Sequence, residues 1–191
     1  MTSIPPPVLA VSEAVRVVSG VTEVELTGSS AVGERTPLSD WDFDVAVEDA
    51  AVLEDLEHRL QRLRALAVFW DPLSTRANLI VLLEGPIKVD VIVPAMGNPR
   101  PISQWEVTAP TLARVDAHFW DWTLWLGAKQ LRGLRELVAA ELAKMWDTLL
   151  RPMGVQRSPQ TLDEAVNFYL VARREREHEL EAPSTSASSV R

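Results

Sequence analysis

The chain has 191 residues, 47% of them hydrophobic, and 19 Lys and Arg against 27 Asp and Glu give it a formal net charge of -8. That is enough apolar material to bury a core in one large domain or two small ones, and the acidic balance argues against a protein that holds nucleic acid by neutralising many phosphates, so no extended nucleic-acid surface is expected. The absence of cysteine excludes disulfides, thiolate metal sites and Cys nucleophiles; with neither a long apolar run nor a basic leader region, the chain is expected to be soluble and cytoplasmic with no membrane span.

Taken in chain order, VLAVSEAVRVVSG has apolar residues at helical spacing and ends at Gly20. VTEVELTG then alternates as a strand, with Val24 and Leu26 on one side, and runs straight into Gly28. WDFDVAV alternates again and divides Trp41, Phe43, Val45 and Val47 from Asp40, Asp42, Asp44 and Ala46, which predicts a half-buried strand with an acidic outer face. Between Asp49 and Leu66, Val52, Leu53, Leu56, Leu60 and Leu63 follow a helical stripe, with Glu57, His58 and Arg59 among the residues left over for the polar side. ANLIVLLEGPIKVDVIV reads as two strands joined at Glu84-Gly85-Pro86 in a hairpin, with Asp90 in the middle of the second.

NPRP at 98 to 101 is the strongest breaker cluster. Beyond it the pattern is helical over roughly 108 to 127, 128 to 150 and 160 to 180. The fold class expected is therefore α+β: a small mixed sheet with flanking helices over 1–103, an all-α helical bundle over 104–181, and a polar tail over 182–191 expected to be disordered. Of the seven Trp, four crowd into residues 105 to 125; core packing is the leading reading for most of them, with a stacking platform for a flat ligand as the alternative.

The stretch GSSAVGERTPLSDWDFDVAV, from Gly28 to Val47, carries the chemistry. Gly28 and Gly33 have the spacing of a P-loop, but Glu34 and Arg35 stand where that motif needs Lys and Ser or Thr, and a strand follows where a helix should begin. Asp40, Asp42 and Asp44 have the spacing of a calcium loop, but Val45 replaces its Gly and Ala51 its Glu. Electrostatics gives a better reading. Carboxylates two residues apart on a strand are about 6.6 Å apart on one face and repel unless something positive lies among them. All-oxygen ligands suit a hard ion such as Mg2+, for which Asp90 is a candidate third ligand. Gly28 allows a close backbone approach, and Ser29 offers an amide and a hydroxyl to phosphate oxygens.

A Gly-Ser loop, about ten residues, Asp-x-Asp on a strand and a third Asp on a later strand together resemble the DNA polymerase beta-like nucleotidyltransferase superfamily; LTGSSAVGERTPLSDWDFDV and KVDVIV carry the resemblance over residues 21 to 93. The helical region, with HFWDWTLWLGAKQLRG, is similar to the C-terminal bundle of the aminoglycoside nucleotidyltransferase branch. The resemblance implies that Gly28 and Ser29 bind a triphosphate, that Asp40 and Asp42 hold Mg2+, and that Asp90 completes the metal site or acts as general base. It places Lys129 against the nucleotide phosphates. Relatives often carry an Arg near the position of Val32; here Arg35 is the nearest cation. Asp44 permits a shifted frame, Asp42 with Asp44, but Asp40 at the junction of loop and strand matches the family better.

The implied activity is a Mg2+-dependent transfer of a nucleoside monophosphate, from ATP as co-substrate, to a hydroxyl of a small-molecule acceptor. A cationic, aminoglycoside-like antibiotic suits the acidic chain. The competing expectations are an antitoxin-type protein that binds or adenylylates a protein partner, and a nucleotide-binding module without catalysis. Glu84 and Glu106 are alternatives to Asp90 as base, His58 and His178 read as surface groups, and His118 as core or pocket.

Overall fold

The computed structural model describes residues 4–33, 39–85 and 87–181. The candidate Arg35 and the tail from 182 onward lie outside the described residues. The elements are helix α1 (Pro6–Arg16), strand β1 (Val21–Thr27), a short helix α2 (Gly28–Val32), β2 (Trp41–Val47), α3 (Val52–Gln61), β3 (Ala67–Trp70), β4 (Arg76–Leu83), β5 (Ile87–Gly97), α4 (Leu112–Leu131), α5 (Arg135–Met145), a π-helical turn at Trp146–Leu150, and α6 (Leu162–Glu181). The chain is thus mixed α/β, and none of its helices among the described residues is long and apolar enough to cross a membrane.

The five strands form one sheet in the order β1-β2-β5-β4-β3. Every pairing is antiparallel except β2 with β5, which is parallel. The alternation read in WDFDVAV is the observed one: Trp41, Phe43 and Val45 are buried, while Asp42 and Asp44 face the other side. On the inner face these side chains join Leu79, Val81, Val89 and Val91 in a core closed by α1 and α3. Pro6 starts α1 where a missing N–H costs nothing, and Val8, Val11 and Val15 supply its apolar stripe. In α3, Glu54 and Asp55 in the first turn and His58 and Arg59 in the last complement the helix dipole.

Several expectations are corrected. The helix expected to reach Leu66 stops at Gln61, and the residues after it turn into β3, a strand missed in the sequence because four residues cannot establish a period. Glu57, expected on the polar side of α3, is buried: it accepts the indole N–H of Trp70 at 2.9 Å and both guanidinium N–H groups of Arg100 at 3.0 and 2.8 Å. Downstream, the first long helix does not end near 127 but runs through Gly127 to Leu131. Gly133, in the left-handed region at φ 75°, makes the break before α5. The hairpin is as expected, with Gly85 at φ 82° and Leu83 opposite Ile87.

Helices α4, α5 and α6 share a second core in which Phe119 stacks on Tyr169, ring centroids 3.7 Å apart. The opposite side of α4 meets the sheet, where Ala117 packs on Phe69, Ile80 and Leu82. This contact brings the polar residues of α4 to the acidic face of β2 and β5. Of the Trp residues, Trp41, Trp70 and Trp122 are buried and the others half-buried, in line with core packing for most.

Candidate active site

The parallel pairing of β2 with β5 puts Asp42 directly opposite Asp90. Because side chains alternate along a strand, Asp40 and Asp42 share the face on which Asp90 stands. One oxygen from each of Asp40, Asp42 and Asp90 lies within 4.8 Å of the other two. Asp44, one step further along, is outside this group, and its Oδ1 accepts the Thr27 hydroxyl at 3.5 Å. The three carboxylates brought together are those named from the sequence, in the frame preferred there.

The start of α2 closes on the same carboxylates. Gly28 has φ 64°, and a Cβ on it would lie 2.1 Å from Asp42 Oδ2, so the glycine is required by conformation and by space. Ser30 donates to the Asp40 carbonyl at 3.0 Å and Thr27 to the Asp42 carbonyl at 3.4 Å, tying the segment to β2. Ser29, half-buried, sits in the first turn beside Gly28. We expect Gly28→Ala to cost roughly 1–2 kcal/mol for the left-handed backbone alone. Since the added methyl also pushes the Asp42 carboxylate aside, calorimetric titration with Mn2+ should record a weaker affinity, and an unchanged affinity would mean that Gly28 does not shape the site.

From the other side, α4 presents Asp121, Trp125 and Lys129 at successive turns. Lys129 Nζ lies 4.8 Å from the Trp125 ring centroid, and its charge favours the ionised forms of Asp40 and Asp42. At the end of the helix Arg132 donates to the Ser39 hydroxyl at 3.0 Å, anchoring the residue before Asp40. Two residues not singled out in the sequence complete the arrangement. The buried ammonium of Lys88 lies 3.0 Å from Asp121 Oδ1, 3.2 Å from Asp90 Oδ2 and 3.7 Å from Asp40 Oδ2. A signal for each existed: Lys88 stands two residues before Asp90 on one strand face, and Asp121 is an acid inside the aromatic run FWDW.

The electrostatics follows from four buried and half-buried carboxylates close together. Burial raises the Asp42 carboxyl to about 6, helped by the charges of Asp90 and Asp40. Burial likewise raises Asp40, against the pull of Lys88, and Asp121 to about 7. For Lys88 burial disfavours the charge, but Asp121, Asp90 and Asp40 outweigh it and hold the side chain as an ammonium well above its ordinary range. The four carboxylates outnumber the one buried ammonium among them, with Lys129 acting on Asp40 and Asp42 from further away.

Beside the carboxylates is a cavity of about 250 Å3 between the sheet, α4 and α5, with Asn78, Lys88, Asp90, His118, Asp121 and Trp122 among its walls. His118 packs against Phe69, Trp105 and Trp122. Burial lowers its pKa to about 3, with Lys88 and Lys144 adding to the effect, so the imidazole is neutral. Neither ring nitrogen has a hydrogen-bond partner among the described residues, nor has Asn78 Oδ1 or Asp90 Oδ1. Of the alternative bases, Glu84 lies at the hairpin turn, in a different cleft with Pro7 and Arg64, and Glu106 is exposed and absent from the cavity wall.

The residues fit a divalent metal: three convergent carboxylates, a buried Asp90 oxygen without a partner, and a glycine whose missing Cβ leaves Asp42 its place. Compared with known proteins, the chain matches no protein-family model and no curated protein.

Proposed function

We propose that the chain is a Mg2+-dependent nucleotidyltransferase of the polymerase beta-like kind, which transfers the AMP of ATP to a hydroxyl of a small-molecule acceptor and releases pyrophosphate. The observation that carries this reading is the convergence of Asp40, Asp42 and Asp90 within 4.8 Å, beside a left-handed glycine whose missing side chain leaves room for the Asp42 carboxylate. In the reaction the acceptor oxygen bonds to the α-phosphorus as the bond to pyrophosphate breaks, and the hydroxyl proton leaves to a base. Asp40, Asp42 and Asp90 would hold the metal, which when bound supplies charge stabilisation to the phosphoryl oxygens and lowers the pKa of the acceptor hydroxyl.

The chain's own groups do the rest by position. Gly28 and Ser29 offer a close backbone approach to the triphosphate, and the ammonium of Lys129 offsets its charge from α4. Asp90 belongs both to the triad and to the cavity wall, so an acceptor hydroxyl in the cavity meets the group that receives its proton. The cavity also has Asp71, Asp121 and Glu141 against Lys88 and Lys144, an acidic excess that favours an amine-bearing acceptor such as an aminoglycoside-like ring.

Incubation with Mg2+, labelled ATP and a panel of aminoglycosides, lincosamides and nucleosides should give a nucleotidylated product with one of the small molecules. Failure to bind any nucleotide in calorimetry with Mg2+ present would remove this reading.

A further inference from the structure

We propose that Lys88 is a resident counter-cation, which holds the carboxylates together before a divalent metal arrives and then withdraws onto Asp121. The inference rests on Asp40, Asp42 and Asp90 being metal ligands, as read above. Two of those three, Asp40 and Asp90, are also partners of the Lys88 ammonium. An ammonium and a dication drawn to the same two carboxylates repel one another, and at a buried position salt does little to screen them.

Asp121 resolves the conflict. It lies outside the triad, on α4 rather than on the sheet, and it already makes the shortest of the three contacts. The ammonium is a compact charge on a flexible stem, so it can loosen its grip on Asp40 and Asp90 without leaving Asp121. Remove Lys88, and the metal-free sheet must bring its carboxylates together with no internal cation between them. Remove the charge of Asp121, and Lys88 has only the metal's own ligands to pair with. The two substitutions should therefore move metal affinity in opposite directions.

The test is Mn2+ titrated into the full chain without nucleotide, with free ion read from its paramagnetic resonance signal and folding followed by circular dichroism. Asp121→Asn should bind Mn2+ about tenfold more weakly than the native chain, and Lys88→Met more tightly. In the Lys88→Met background Asp121→Asn should weaken binding much less than it does in the native chain, because Asp121 acts mainly through Lys88 and only secondarily by its own charge. The proposal is overturned if the native chain binds no Mn2+, if Asp121→Asn binds as well as the native chain, if Lys88→Met binds less well, or if Asp121→Asn weakens binding as much in the Lys88→Met background as in the native chain. Should Lys88→Met fail to fold, Asp121→Asn decides alone by the same criterion. Nucleotide transfer is not read, so the two proposals fail separately. The expected affinities with no labelled product would retain the counter-cation and discard the transferase, and transfer with an unaltered Asp121→Asn affinity would do the reverse.

Discussion

Asp42→Asn is expected to lower kcat/KM for nucleotide transfer by about 10^3-fold, some 4 kcal/mol of transition-state stabilisation, and at the same time to raise the thermal midpoint of the metal-free protein. Both effects come from one carboxylate. Asp42 is opposite Asp90 in the sheet and within 4.8 Å of both its acidic partners, so the amide keeps the shape and removes one charge of the proposed metal site. Without metal that same charge is a liability, since burial and the neighbouring Asp90 and Asp40 push the carboxyl up to about 6. The folded state then opposes the ionised form near neutral pH, and the neutral amide relieves it. Asp44→Asn, which touches Thr27 and not the triad, should leave transfer and midpoint nearly where they were. Loss of activity in Asp44→Asn with Asp42→Asn unimpaired would show that the metal site uses the shifted frame.

The second large effect concerns acid. His118 is buried among Phe69, Trp105 and Trp122, and its pKa is lowered to about 3, whereas in the unfolded chain it titrates at its ordinary value near 6.5. Between those values the unfolded state binds a proton that the folded state refuses. Stability is therefore fully present above the unfolded value and is lost as pH falls toward the folded one. Asp42 and Asp121, raised to about 6 and about 7, act in the opposite sense, losing stability as pH rises. A comparison of His118→Phe with the native chain isolates the histidine, because the carboxylates are common to both. The phenyl ring suits the aromatic surroundings, and the variant should gain roughly 3 kcal/mol on the native chain between pH 7 and pH 4. Urea unfolding at the two values measures this, and equal losses in the two proteins would mean that His118 is protonated in the fold.

Much of the sheet and of the carboxylate triad was readable in the sequence because strand alternation is a local code. WDFDVAV states which residues share a face, and KVDVIV does the same for Asp90. What was not readable depends on contacts between distant segments. Glu57 looked polar because its partners, Trp70 and Arg100, lie beyond the helix. Strand β3 is too short to have a pattern, and its place at the sheet edge is set by β4. Asp121 acquires its meaning only when α4 lies against Lys88, a docking that no periodicity in FWDWTLW specifies.

The parallel pairing of β2 with β5 has a further consequence, for the order of assembly. The three strands β3, β4 and β5 are successive antiparallel neighbours and can pair by closing short loops. Joining β2 to β5 requires α3 and both intervening strands to be enclosed first, which carries the larger loop-closure cost. Asp42 and Asp90 are therefore brought opposite one another only by the longest-range pairing of the sheet, and their repulsion is a cost of that pairing rather than of the local hairpin. A cation held by the assembled triad would therefore stabilise the sheet at the pairing that joins its most distant strands in the chain.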